Sequence, residues 1–335
     1  MPPHPMRRSV LPLALLLPLA LSTACSSLSS EDQQRLADFQ ARALLYYDRN
    51  HLVQALDQID RGLELEPDDY KLTSLKASVM LQLSGTSTST DHQKLDEATR
   101  LLEQVYAQRS SSRHEPHLLL SYGLALQKQG RRHLGETIRL AGQAGRAKQD
   151  DKEALVHQAE HERDLAKQLL TQAGEMFDAL IERGELLRIA HNHRMQIARD
   201  LGDTPRFTSE AEAYFAQAKA AQDVTQRRIE QTGDAAVELE QLQWLQRLRE
   251  EEMEVRGLLG QFYYEQKQHQ AALDQLHRVL ELDPTRFADY YNRGRVLLDL
   301  GRLDDAKADF RRFLADPTLP ASSEKVTFAV RALQK

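Results

Sequence analysis

The chain has 335 residues, of which 28% are charged and 41% are hydrophobic, and its formal net charge is −6. Arg7 and Arg8 are the only charged residues before Cys25, so the remainder of the chain carries a net charge of −8. An acidic balance disfavours nucleic-acid binding. Cys25 is the only cysteine, which excludes an intrachain disulfide.

Residues 1–24 have the pattern of a secretory signal peptide. Arg7 and Arg8 precede an apolar stretch over residues 10–21, and small residues lead up to Cys25. The apolar stretch is shorter than the roughly 20 residues that a membrane-spanning helix needs. We therefore expect residues 1–24 to be removed on export.

Residues 21–25 resemble the lipobox of bacterial lipoproteins, in which cleavage occurs just before a cysteine that then carries the lipids. The resemblance implies that Cys25 is lipidated. Its leucine departs from the pattern, because Ser22 stands three residues before the cysteine and Leu21 four. The alternative is an ordinary secretory signal cut near Ala24.

The residue after the cysteine carries sorting information in lipoproteins of this kind. Ser26 stands where an aspartate would favour the inner membrane. The resemblance therefore implies a bacterial cell-envelope protein with a lipid anchor, held at the outer membrane and facing the periplasm, with residues 25–35 as the linker to the anchor.

Parts of the remaining chain repeat each other. Residues 56–67 match residues 273–284 at eight of twelve positions. Near the C-terminus, three pairs of residues share one longer spacing: Gly260 and Gly294, Ala272 and Ala306, Leu276 and Phe310. Their period of about 34 is that of the tetratricopeptide helix-turn-helix, and the chain resembles this family.

The resemblance implies an all-α fold, a tetratricopeptide-like helical solenoid. Small residues permit close approach where two helices cross, large residues fill the space beside the crossing, and proline ends the second helix. The residues that define the repeats are Ala43, Tyr46, Ala55, Pro67, Gly260, Tyr263, Ala272, Pro284, Gly294, Ala306 and Phe310. The pattern departs from the family at Arg293.

The repeats divide the chain into regions. We predict N-terminal tetratricopeptide-like repeats over residues 36–145, of which only the first is clear, and two C-terminal repeats over residues 253–320. One of the N-terminal repeats has a polar insertion at residues 84–91. Residues 321–335 are expected to form a capping helix, in which Val326, Ala329, Val330 and Leu333 cover the last repeat.

The central region, residues 146–252, breaks the period and is rich in helix-forming residues. A heptad pattern runs through Ala173, Met176, Leu180, Leu187, Ala190, Ile197 and Leu201, with Arg183 and Arg194 as interruptions. Helix breaks are expected at residues 202–205 and 233–234, and Ser209 with Glu212 forms a capping-box pattern. These features predict a long helical hairpin or coiled-coil-like insertion; degenerate repeats with elongated helices are the alternative.

One motif has a catalytic appearance. His157, Glu160 and His161 match the arrangement of inverted zinc peptidases, with two histidines one helical turn apart. The neighbouring residues are mostly charged or polar, which indicates a solvated helix rather than a water-excluding pocket. We therefore predict no metal, no cofactor and no enzymatic activity, with a zinc metalloprotease as the alternative.

A stack of helix pairs offers a concave face on which a partner can lie. By resemblance to the family, the residues that line this face include Tyr264, Tyr291, Asn292, Arg295 and Asp299. The expected function is that of an envelope-anchored scaffold that binds other envelope proteins or peptide segments, in a process such as assembly of a pilus, secretin, motility or cell-wall complex. A structural oligomer formed through the central helices is an alternative.

Overall fold

The computed structural model describes residues 28–85, 89–108, 115–320 and 322–334. Cys25 and the signal peptide lie outside these described residues. Thirteen α-helices and no β-strand occur within the described part, so the expected all-α class is confirmed. The helices are α1 (Ser30–Asp48), α2 (Leu52–Leu65), α3 (Tyr70–Leu83), α4 (Ser89–Gln108), α5 (Pro116–Ala144), α6 (Gln149–Glu182), α7 (Leu187–Asp200), α8 (Thr204–Gln231), α9 (Ala235–Glu265), α10 (His269–Leu282), α11 (Phe287–Asp299), α12 (Leu303–Leu314) and α13 (Glu324–Gln334).

The chain forms two compact units, Met1–Phe207 and Thr208–Lys335. In the first unit, α1 and α2 pack as a helical hairpin against α3. Ala43 and Ala55, which the repeat pattern places at this crossing, are fully buried, and so is Ile59. The small side chains of Ala43 and Ala55 therefore let the two helices approach closely, and the larger side chain of Ile59 fills space in the core.

The second hairpin consists of α3 and α4. Helix α4 begins at Ser89, inside the segment 84–91 that the sequence indicates as a polar insertion. Residues 89–91 of that segment are therefore helical. Polar residues at the start of a helix carry no apolar periodicity, so the sequence pattern extended the insertion into the helix.

Helices α5 and α6 are the longest pair in the first unit, with 29 and 34 residues. They pack against each other along much of their length. The boundary expected between residues 145 and 146 falls in the short connection between them. The long hairpin therefore begins at Pro116, within the region predicted as N-terminal repeats.

The heptad pattern crosses from α6 into α7 over a break at residues 183–186. Its members Ala173, Met176 and Leu180 are buried together with residues of α3, α4 and α5. They thus belong to a shared core rather than to a two-helix seam. Leu201, at the end of the pattern, is 38% exposed.

Helix α8 is bounded by breaks where Gly202 and Gly233 predict them. The predicted capping box at Ser209 is wrong, because α8 begins at Thr204 and Ser209 lies inside the helix. Pro205 suits the first turn of a helix, and the Asp203 carboxylate accepts a hydrogen bond from the Arg206 amide at 3.1 Å. Asp203 therefore caps α8.

In the second unit, helix α9 runs without interruption from Ala235 to Glu265, so the boundary expected between residues 252 and 253 falls within it. The C-terminal half of α9 packs against α10, and α11 packs against α12. Ala272, Ala306 and Phe310 are fully buried at these crossings. A Cβ atom at Gly294 would lie 2.8 Å from Cε1 of Phe310, so glycine is required there.

Helix α13 closes this unit by packing against α12. Ala329 is fully buried, and Val326 and Leu333 are partly buried against the same core. Val330 is 41% exposed and lies on the outer side. No helix of the described residues is long and apolar enough to cross a membrane.

Candidate functional site

The strongest candidate surface lies where α9 and α11 meet in the C-terminal unit. Arg295 donates hydrogen bonds to the hydroxyl of Tyr264 at 3.2 Å and to the hydroxyl of Tyr291 at 3.5 Å. Tyr264 in turn shares a hydrogen bond with Asp299. Four of the five residues that the family resemblance assigns to the concave face are therefore connected.

These contacts perturb both titrating groups. Burial raises the pKa of Tyr264, and the hydrogen bond to Asp299 raises it further. The hydrogen bond to Tyr291 is the main cause that raises the pKa of Arg295. Tyr264 thus stays a neutral phenol at ordinary pH, able to accept from Arg295 while it donates to Asp299.

Arg295 has no carboxylate partner among the described residues, since its hydrogen bonds go to phenolic hydroxyls alone. Its guanidinium lies 4.7 Å from the ring centre of Phe328. By contrast, Arg293 on the same helix forms a bidentate pair with Asp309, with both distances at 2.7 Å. The pair with buried Asp309 explains why Arg293 departs from the family pattern, whereas Arg295 retains an open capacity for an anionic group.

Asn292, the fifth expected residue, is exposed and lies beside this cluster rather than in it. Its amide donates to Asp289 at 3.3 Å, and Arg286 donates to the same carboxylate at 2.7 Å. Asn292 therefore marks the open edge of the surface.

Tyr291 does not line an open groove. It is only 8% exposed, because Phe328 of α13 meets its ring edge-on at 6.0 Å, and Phe313 lies 5.1 Å away. Lys325 of α13 lies 5.4 Å above the same ring. Tyr291 thus holds Arg295 by its hydroxyl while its ring is covered by α13. Helix α13 is therefore the boundary of the surface next to Tyr291.

Sequence reasoning missed two contributors to this surface. His269 packs edge-on against Tyr264 at 5.6 Å, and its Nδ1 is 4.0 Å from Asp299. Phe328 follows Gly294 by one further repeat period, at the position where the two preceding units have glycine. A large residue at this position of the register indicates that α13 does not form the close helix crossing of a further repeat.

His157, Glu160 and His161 lie on α6, and all three are exposed. No group of three or more histidine, cysteine, aspartate or glutamate side chains suited to a metal ion occurs in the described part of the chain. The helix presents these residues to solvent, so the motif does not form an enclosed site.

Comparison with known proteins identifies the C-terminal segments. The model of the tetratricopeptide repeat family matches residues 254–286 and 290–315. No curated protein matches the chain.

The solved structures to which the chain is similar include the following three proteins. The thermophilic repeat protein TTC0263 of Thermus thermophilus is 14% identical, with 91% of this chain and 100% of that chain covered and a TM-score of 0.29. Yeast Tom70 is 16% identical, with 91% and 66% covered and a TM-score of 0.27. The TPR domain of P58(IPK) is 15% identical, with 91% and 99% covered and a TM-score of 0.22.

Proposed function

We propose that this tetratricopeptide-repeat protein is an envelope-anchored adaptor that binds other proteins through its C-terminal repeats and catalyses no reaction. Helix pairs of this family, here over residues 254–286 and 290–315, present an extended surface to a partner segment. The supporting observation is the arginine cluster between α9 and α11.

Arg295 carries the proposal. Its guanidinium is held in place by Tyr264 and Tyr291 but is neutralised by no carboxylate among the described residues. A partner's carboxylate or main-chain carbonyl therefore forms a charge-assisted hydrogen bond there at little cost in side-chain ordering. Arginine and tyrosine are also residue types that concentrate binding energy at interfaces.

The neighbouring groups complete the surface. Tyr264 offers a flat apolar ring, Asp299 an acceptor, and Asn292 an exposed amide for the backbone of an extended segment. Tyr291 is excluded from direct contact because α13 covers it. The proposed partner is therefore a protein segment that lies across α9 and α11 and presents an acidic group to Arg295.

Site-directed photocrosslinking in the native envelope tests this proposal. A crosslinking amino acid at Asn292 is expected to capture a discrete partner, whereas the same amino acid at exposed Arg311 of α12 is not. Adding Arg295→Ala is expected to reduce the yield at Asn292 by about tenfold, as for the loss of one interface anchor.

Arg311→Ala is the matched control, because it removes an exposed arginine of the same unit. Equal yields from Asn292 and Arg311, or a yield at Asn292 that Arg295→Ala leaves unchanged, would place partner binding elsewhere in the molecule.

The anchor is a separate part of the proposal. Cys25 is expected to be the lipidated first residue of the mature protein, holding it at the outer membrane on the periplasmic side. It is the only cysteine, and it directly follows small residues. Cys25→Ser is expected to release the protein into the soluble fraction and to abolish labelling with a fatty-acid analogue. Unchanged membrane association with a mature N-terminus elsewhere would contradict the anchor but leave the binding surface in place.

A further inference from the structure

The N-terminal half of α9 carries an apolar stripe that the described residues leave open. Leu239 is 58% exposed and Leu242 is 45% exposed. In contrast, Leu245 and Leu248, which follow in the same three-residue spacing and turn progressively toward the interior of the unit, are 7% and 1% exposed. Two adjacent exposed leucines beside buried ones form an open edge of the apolar face of α9, which a further helix can cover.

Farther along α9, the side of the helix that faces the same direction as Leu242 is covered. Gly260 follows Leu242 by about five full helical turns, so both face the same direction. At Gly260 the stripe is closed by α10, since a Cβ atom there would lie 3.5 Å from Cγ of Leu276. Helix α10 ends at Leu282 and covers only the C-terminal half of α9. The edge at Leu239 and Leu242 lies beyond the end of this cover.

Two opposite charges border the open stripe. Glu238 and Arg249 are both exposed, and neither has an ion-pair partner among the described residues. They are about three helical turns apart, so they lie on the same flank of the stripe, at its two ends. A two-fold axis perpendicular to α9 brings the glutamate of one copy to the arginine of the other, twice in one interface.

We propose that two copies of this chain associate antiparallel through the N-terminal halves of α9. The leucines Leu239 and Leu242 of each copy pack near the two-fold axis, and Glu238 of each pairs with Arg249 of the other. The self-complementary placement of the charges singles out a second copy as the occupant. This interface is independent of the partner surface at Arg295 and goes beyond the adaptor function.

The small area of the stripe limits the affinity of the dimer. One helix face of a few turns is smaller than the roughly 800 Å² per partner that stable complexes bury. The dimer is therefore weak, with a dissociation constant of roughly micromolar or above. Association depends on concentration and on salt, because the two flanking pairs are exposed.

Sedimentation or light scattering of the full chain carrying Cys25→Ser, which prevents lipid attachment, tests the proposal. The average mass is expected to rise from monomer toward dimer as concentration increases. Glu238→Arg alone and Arg249→Glu alone place like charges opposite each other, so each is expected to weaken association by about tenfold. The double variant Glu238→Arg with Arg249→Glu is expected to restore it.

Leu242→Asp is expected to abolish association, and Leu303→Asp, at a similarly exposed leucine of α12, serves as its control. Circular dichroism verifies that each variant keeps its helicity. A monomer at every concentration overturns the proposal, as does a dimer that tolerates Leu242→Asp. Single charge reversals that the double variant fails to rescue overturn the antiparallel register.

Discussion

The C-terminal repeats and the α5–α7 region of the first unit solve the same packing problem in different ways. In the repeats, Gly294 and Ala306 are small where Phe310 needs room, and this alternation recurs with the repeat period. In the α5–α7 region, buried polar side chains occupy positions between the helices. Among them are Arg194 at 6% exposure and Gln127 at 3%. Packing of small against large residues recurs at a fixed spacing and is therefore visible in the sequence. Packing through pairs of polar side chains has no fixed spacing and is not.

The polar contacts of the α5–α7 region are specific. Arg194 pairs with Asp178 of α6 at 2.7 Å, and Asp178 also pairs with Arg206 at 2.6 Å. Gly174 leaves space for the Arg194 guanidinium, which any side chain there would displace. Arg194 therefore interrupts the heptad pattern because its buried guanidinium pairs with half-buried Asp178, a role that helix periodicity does not encode.

The largest expected effect breaks the size-based packing of the repeats. Phe310→Ala removes a fully buried ring that contacts Tyr291 and Phe328, so we expect a loss of about 3–5 kcal/mol in the free energy of unfolding. Urea denaturation followed by fluorescence of Trp244, the only tryptophan, reports on this unit. Leu303→Ala, at a leucine 57% exposed, is the control and is expected to change the free energy by less than about 0.5 kcal/mol.

The next effect concerns pH in the polar region. His193 stacks on Phe177 at 4.9 Å and hydrogen-bonds Gln127 at 2.8 Å. Burial, with the nearby charge of Arg131, lowers the pKa of His193 from 6.5 to about 4. The unfolded chain binds this proton near pH 6.5 and the folded chain only near pH 4, so stability falls as pH decreases between these values.

At the lower end of this pH range the loss is expected to reach roughly 3 kcal/mol for the first unit. Hydrogen exchange of α7 amides at neutral pH and near the folded-state pKa, corrected for intrinsic rates, measures it. His193→Gln keeps a polar side chain without the titration and is expected to flatten the pH dependence. An equally steep dependence in that variant would assign the effect to other groups.

The smallest effect tests the buried ion pair. Arg194→Ala is expected to cost about 1–3 kcal/mol, less than the loss of an unpaired buried charge, because Asp178 keeps Arg206 as a partner. Hydrogen exchange of α6 and α7 measures the change. Arg183→Ala removes an exposed arginine at the end of α6 and is the matched control. Equal effects of the two substitutions would show that the buried pair contributes nothing specific.

Much of the fold was available from the sequence. The all-α class is confirmed, the family model matches the two C-terminal repeats at residues 254–286 and 290–315, and the helix breaks occur at Gly202 and Gly233 as predicted. These features depend on residues close together in the chain or on a fixed period. The start of α8 was mistaken because the capping pattern at Ser209 competes with an earlier start that Pro205 favours.

The candidate site could be predicted from the sequence only in part. The family register brought Tyr264, Arg295 and Asp299 to one surface, where the structure connects them by hydrogen bonds. It also assigned Tyr291 to that surface, although α13 buries this ring. Whether a groove position stays open depends on where the following segment turns, and the register alone contains no information about that turn.

The sequence by itself determined the helices, the repeat period and the small residues at the helix crossings, because each follows from local conformational preference or from side-chain size at a fixed spacing. The tertiary structure decided that α5 pairs with α6, that Arg194 is buried against Asp178, and that Phe328 covers Tyr291. Each of these contacts joins residues of different helices, and its formation depends on the packing of the elements between them. That packing is a cooperative property of the whole unit, which no single segment specifies.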